Sequence, residues 1–328
     1  MDTSRTEEFS RNIELEDLLK SLNSSLMLAE QDLLEQTGKK EPYPLLLIMG
    51  PHRSGTTLFL QWLANTGIFA YPTNLLSRFY LAPILGAKIQ LLLTDPRYNY
   101  RDELVEYTKT IEYMSDNGKT KGVLAPNEFW YFWRSFLPAQ DRDVWTDQEL
   151  MNNMDYTRLV KELKGITEIM EKPFAAKAML FNYNIPFLDK ILDKVIFVHM
   201  KRDEAANSAS ALDARKRQFG SEKAWYSFII PEYEALQNLD PVHQVVGQIR
   251  AINRAVEKGF KKVADFRKMT VQYEEFCDSP EKIFLQLTHK LAQQGMTKKF
   301  KYYGPDNFKP TRTSDIDPRI INLCATGH

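Results

Sequence analysis

Cysteine is nearly absent from this chain of 328 residues, with Cys277 and Cys324 the only two. Two thiols cannot build a disulfide framework, and neither they nor the five histidines fall into a CxxC or closely spaced His/Cys pattern that would ligate a metal. A reducing compartment, hence a cytoplasmic location, is the expectation. An excess of charge is missing too: 43 Lys and Arg balance 43 Asp and Glu. General nucleic-acid binding draws on a basic surplus to displace counterions, so no nucleic-acid partner is expected. No run of about 18 apolar residues occurs, and Met1 to Glu8 is polar with no apolar stretch behind it. Neither a transmembrane segment nor secretion is expected. Internal repeats and low-complexity segments are also lacking.

What is present is the composition of a folded protein, 43% hydrophobic and 26% charged. Between residues 11 and 37 the apolar side chains Leu15, Leu18, Leu19, Leu22, Leu26, Ala29 and Leu33 recur every three or four positions, which predicts a helix with one apolar stripe and Gly38 as its stop. This N-terminal helical extension, residues 1–40, lies against the main domain or serves as a homodimer contact. The main domain, residues 41–328, starts with Leu45-Leu46-Leu47-Ile48-Met49, the continuous apolar run of a strand buried on both faces. Similar runs at Phe174 to Leu180, Val195 to Met200 and Met269 to Tyr273 alternate with helical spacing, as at Val242, Val245, Val246, Ile249, Ile252 and Val256. That alternation predicts a single P-loop-like α/β domain with a mainly parallel central sheet flanked by helices.

Directly after the first strand the chain reads GPHRSGTT, from Gly50 to Thr57, and continues into a helix. A strand, a glycine-bounded loop and a helix aim backbone N–H groups and a helix N-terminus at a phosphate. Against the triphosphatase pattern GxxxxGK[ST], Gly50, Gly55 and Thr57 match, but Thr56 stands where the lysine belongs and the cation is Arg53. A P-loop kinase or triphosphatase and a non-catalytic nucleotide-binding protein are therefore the alternatives to the reading that follows.

The block Arg53, Ser54, Gly55, Thr56, Thr57 resembles the 5′-phosphosulfate loop, P-[KR]-S-G-T-T, of the sulfotransferases. The resemblance implies a donor, 3′-phosphoadenosine 5′-phosphosulfate, held at this loop, and no required metal. It further implies that Arg202 at the end of a later strand and Ser210 two helical turns on hold the 3′-phosphate, that Tyr273 in Tyr273-Glu274-Glu275-Phe276 lies near the adenosine, and that Lys177 reaches the sulfuryl group. His52 and Glu204 stand where the family usually has proline. The family's RKGxxG segment is absent, which leaves Lys309 and Arg312 as candidates for any further 3′-phosphate contact.

Sulfuryl transfer needs cations around the leaving oxygen and a base for the acceptor hydroxyl. Met179 occupies the position of the histidine base of the phenol and steroid branch, and Glu128 in an aromatic-rich stretch is the carboxylate chosen instead, with desolvation expected to raise its pKa. His52 and His199 are the alternative bases. The aromatics Phe129, Trp130, Tyr131, Phe132, Trp133 and Phe136 are candidates to line an apolar acceptor pocket. Segments Tyr71 to Asn99 and Ala211 to Pro231 are expected in its wall, and Arg215, Lys216 and Arg217 form a candidate basic patch. The acceptor, a small molecule, lipid or carbohydrate, is not fixed by the sequence.

Overall fold

The computed structural model describes residues 5–37, 43–101, 103, 113–115, 119–138, 143–310 and 316–326. In chain order the main elements are α1 (Ile13–Gln36), β1 (Leu45–Met49), α2 (Thr56–Asn65), α3 (Pro83–Thr94), α4 (Trp130–Phe136), α5 (Asp147–Asn153), α6 (Tyr156–Met170), β2 (Phe174–Lys177), α7 (Ile185–Ile191), β3 (Val195–Lys201), α8 (Glu204–Phe219), α9 (Tyr233–Leu236), α10 (Pro241–Phe260), β4 (Lys268–Gln272), α11 (Tyr273–Asp278), α12 (Pro280–Gln293) and α13 (Pro318–Thr326). Among the described residues no helix is long and apolar enough to cross a membrane.

The four strands form one parallel sheet in the order β2-β1-β3-β4, with Leu45 opposite both Phe174 and Val195. Strand alternation explains the unbroken apolar runs. Leu45, Leu47, Met49, Val195 and Phe197 face one core with α6, α7 and α10. Leu46, Ile48, Ile196, Val198 and Met200 face the other, with α2, α11 and α12. The expected α/β architecture with an N-terminal helix is therefore present. Strand order turns back at β1, so the connections leaving β1 and β3 diverge, and the crevice lies at the carboxyl ends of the strands. Two apolar runs overshoot their strands: β2 stops at Lys177 before the turn Met179–Phe181, and Tyr273 opens α11 rather than closing β4. An apolar run alone does not separate a strand end from the turn that follows.

α1 does not dock by the stripe that its leucines describe. Leu19 is buried, but Leu18 is 67% and Leu22 38% exposed. The contact runs through polar anchors. Asn23 donates to the carbonyl of Arg78 at 2.8 Å and accepts from the Leu81 amide at 2.8 Å. The Glu30 carboxylate accepts from the amides of Ile84 and Leu85, at 2.8 and 3.0 Å, and so caps the N-terminus of α3. Gly38, the expected stop, lies outside the described residues.

Behind Glu30, the fully buried Glu162 of α6 accepts from Arg158 Nε at 2.7 Å. Burial pushes the Glu162 carboxyl up from about 4.5 to about 8, against the pull of Arg158 and with a further push from Glu30. Between those values the native state holds a proton that the unfolded chain releases, so stability falls as pH rises through this window. Urea unfolding of wild type should lose roughly 1–3 kcal/mol between pH 5 and pH 8 relative to Glu162→Gln. Parallel stability profiles for the two proteins would contradict this placement of the proton.

Candidate active site

The loop after β1 is forced into its shape by contacts on all sides. Gly50 has φ +129°, and a Cβ there would meet the Met200 carbonyl oxygen at 2.5 Å. Its amide donates to Asn182 Oδ1 at 2.9 Å, while Asn182 Nδ2 donates back to the Gly50 carbonyl at 2.9 Å. Gly55 has φ +93°, and its missing side chain makes room for the Tyr273 ring, which a Cβ would meet at 2.2 Å. Asn207 of α8 donates to the His52 carbonyl at 2.8 Å and Ser54 Oγ to the Pro51 carbonyl at 2.8 Å. Arg53, at the apex, takes the left-handed conformation with φ 65°, unusual for a residue with a side chain. No side chain caps α2 among the described residues, so its leading amides face outward as an anion cradle.

The other candidates converge on this loop from the carboxyl ends of the neighbouring strands. Lys177, at the end of β2 and 3% exposed, donates to Thr57 Oγ1 and Glu128 Oε1, each at 2.7 Å. The second Glu128 oxygen accepts from the Trp130 indole. Arg202, after β3, donates to the Arg53 carbonyl at 3.0 Å, and its guanidinium lies 4.9 Å from the centre of the Tyr273 ring. Arg53 Nε donates to Ser210 Oγ at 3.2 Å, so Ser210 sits beside Arg53 in this state. Ser54 and Thr56 are buried with their hydroxyls turned inward, Thr56 toward the Met179 sulfur at 4.0 Å. What they present outward is backbone N–H.

Several expectations are corrected. Glu128 is not a lone carboxylate with a raised pKa. Burial pushes it up, but the charge and hydrogen bond of Lys177, the Trp130 indole and the charge of Arg53 together hold it below the usual carboxylate range. Its side chain is 32% exposed, so it meets the cleft while paired. Phe129, Phe132, Trp133 and Phe136 are core, with Phe129 stacked on Phe132 at 4.3 Å, while Tyr131 is exposed and the Trp130 indole bonds Glu128. Much of Tyr71 to Asn99 is α3, packed on α1 and α6, and Ala211 to Phe219 belongs to α8. The basic patch dissolves as well: Arg215 is fully buried against Gln244 at 2.7 Å, and Lys216 pairs with Glu222 at 2.6 Å.

The two histidines are held neutral. Burial, with Arg215 and Arg53 nearby, lowers His52 to about 3, and its ring meets Tyr226 edge-on at 5.1 Å. Burial lowers His199 to about 4, and its Nε2 lies 2.9 Å from Asn253 Oδ1 on α10. Lys309 is exposed beside Phe308, whose amide donates to the Cys277 carbonyl at 2.7 Å, and Arg312 lies outside the described residues.

Sequence reasoning missed Asn182 and Tyr226. Asn182 follows β2 in an unremarkable Phe-Asn-Tyr-Asn stretch, where nothing but the need of Gly50 for a paired donor and acceptor marks it. Burial holds the Tyr226 phenol up, Arg53 pulls it down and Glu128 pushes it up, so its hydroxyl shares the field of both groups.

A parallel sheet carrying a glycine-bounded anion cradle at β1, a buried lysine at β2 and an arginine at β3 defines a P-loop-like α/β enzyme. The chain belongs to the sulfotransferase family: the family model matches residues 44–293, well over half of its length. Enzymes of this family are dependent on 3′-phosphoadenosine 5′-phosphosulfate. Among solved structures it is similar to sulfotransferase STF9 from Mycobacterium avium, with 14% identity over 93% of this chain and 81% of that one and a TM-score of 0.49. It is also similar to sulfotransferase STF1 from Mycobacterium tuberculosis H37Rv, with 11% identity over 85% and 77% and a TM-score of 0.49. The sulfotransferase domain of the Synechococcus PCC 7002 olefin synthase shares 15% identity over 88% and 95%, with a TM-score of 0.39. No curated protein matches the sequence.

Replacing Asn182 by Ala strands the Gly50 amide and carbonyl in a buried site. The variant should lose about 1–3 kcal/mol in urea unfolding, and an unchanged midpoint would show that water replaces the amide at no cost.

Proposed function

We propose that this sulfotransferase takes 3′-phosphoadenosine 5′-phosphosulfate as donor at the β1 loop and transfers its sulfuryl group to an acceptor hydroxyl by in-line displacement. The observation that carries the reading is Lys177, which joins Thr57 at the head of α2 to Glu128 at the cleft. One buried cation thus touches both the anion cradle and a carboxylate able to accept a proton.

The loop fits a phosphosulfate: outward amides, the side chain of Arg53, and a backbone with no room for bulk at Gly50 and Gly55. Arg202 and Ser210 take the 3′-phosphate in this reading, which their contacts with Arg53 support, and Tyr273, against the Arg202 guanidinium, lies on the adenosine side. A sulfuryl donor supplies an electrophilic sulfur and a phosphate leaving group whose bridging oxygen gains charge in the transition state. Lys177 and Arg53 are the cations that offset it. Glu128 takes the acceptor proton, since it is the group that meets the cleft beside Lys177, whereas the His52 ring packs on Tyr226 and His199 makes its contact on α10. Thr56 in place of a lysine speaks against a triphosphate in this loop. The acceptor is a small molecule, lipid or carbohydrate bearing a hydroxyl.

Calorimetric titration with 3′-phosphoadenosine 5′-phosphate, beside ATP with magnesium, tests the donor. Micromolar binding of the former should weaken at least about tenfold in Arg53→Ala and in Arg202→Ala. Preference for ATP with magnesium would overturn the assignment. Once an acceptor is found by screening, Glu128→Gln should keep donor affinity and lose roughly 100-fold or more in kcat; turnover like that of wild type would remove Glu128 as the base.

A further inference from the structure

The Lys177 ammonium carries three N–H bonds, and two are committed, to Thr57 Oγ1 and to Glu128 Oε1. Glu128 is the one carboxylate against it among the described residues, and it is surrounded by groups that favour its ionised form. Those facing it are Lys177 from β2, Arg53 from the loop and the indole of Trp130 from α4, and the Tyr226 phenol, in the segment between α8 and α9, shares its field. A carboxylate paired in this way is a poor base, because protonating it strands a buried ammonium.

We propose that the Lys177–Glu128 pair is a lock that the sulfuryl donor opens: an anion seated at the head of α2 draws Lys177 toward itself and frees Glu128 to take the acceptor proton. The inference rests on the sulfotransferase reading of the site given above. Thr57, the other partner of Lys177, opens the helix at which that anion arrives. Lys177 shared between two anions stabilises each less, and new negative charge near Glu128 disfavours its ionised form. The base is thus armed only with donor in place, so an acceptor bound alone is not deprotonated. In the step itself the acceptor O–H proton passes to Glu128 and the acceptor oxygen bonds to sulfur. The bond from sulfur to the bridging oxygen breaks, and its electron pair stays on the leaving phosphate.

The test is the count of protons taken up when the donor itself binds without acceptor, from titrations in two buffers of different ionisation enthalpy between pH 5 and 6.5. The donor's own 3′-phosphate titrates alike in every variant, so differences between variants report the protein. Wild type should take up about half a proton more per donor than Glu128→Gln. Lys177→Met, whose Glu128 has lost its partner in both states, should show a clearly smaller excess at saturating donor, the part due to the donor's charge alone. Equal uptake by wild type and Glu128→Gln, with both binding, overturns the lock and leaves the donor site standing. An excess in Lys177→Met as large as that of wild type overturns the part assigned to Lys177. Failure of wild type to bind the donor overturns the underlying reading and the lock with it.

Discussion

A lysine ammonium buried at the end of a central strand is the constraint that organises this molecule. β2 is buried on both faces, and its last residue, Lys177, is 3% exposed. An unpaired charge there costs several kcal/mol, so the fold has to bring partners to it. It does so from two distant segments: Thr57 in the first turn of α2, and Glu128 just ahead of α4. The backbone enters α4 through Phe129 in the left-handed region, φ 59°, and the stacked pair Phe129 and Phe132 anchors that strained corner in the core. The aromatic stretch thus positions the carboxylate from behind.

The loop shows the same logic with dipoles in place of charges. Its amides point outward only because its carbonyls are satisfied from within. Asn207 takes His52, Arg202 takes Arg53, Ser54 takes Pro51 and Asn182 takes Gly50. Each donor comes from a different element, so the cradle is shaped before any anion enters it, and little reorganisation remains to oppose binding.

This division explains what the sequence made legible. Strand, loop and helix at Leu45 to Leu63 are local, and periodicity with glycine placement revealed them; the spacing of Arg202 and Ser210 singled out two residues that both meet Arg53. The partners that satisfy the loop are far along the chain and chemically ordinary; Asn182 and Asn207 carry no pattern. Glu128 was legible as a carboxylate among aromatics, but not as one held by Lys177, because their pairing spans the β1–β2 crossover. In α1 the reason differs. Its leucine stripe is real in spacing, yet Asn23 and Glu30 decide the docking, since the unpaired amides at the start of α3 need an acceptor more than Leu18 or Leu22 needs burial.

One helix holds the loop and Tyr226 together. α8 contributes Asn207 and Ser210 to the loop, and one turn beyond the buried Arg215 it offers Gln218 to the Tyr226 hydroxyl at 3.4 Å. α10 fixes the other end of that tyrosine, with Gln248 Nε2 donating to the Tyr226 carbonyl at 3.0 Å. The next residue, Ser227, is left-handed at φ 74°, a conformation that persists only when its neighbours are held. The spacing between the anion cradle and Tyr226 is therefore set by α8 as a rigid ruler. With His52 of the loop edge-on to the Tyr226 ring at 5.1 Å, the loop and the phenol that shares the field of Glu128 are held as one unit.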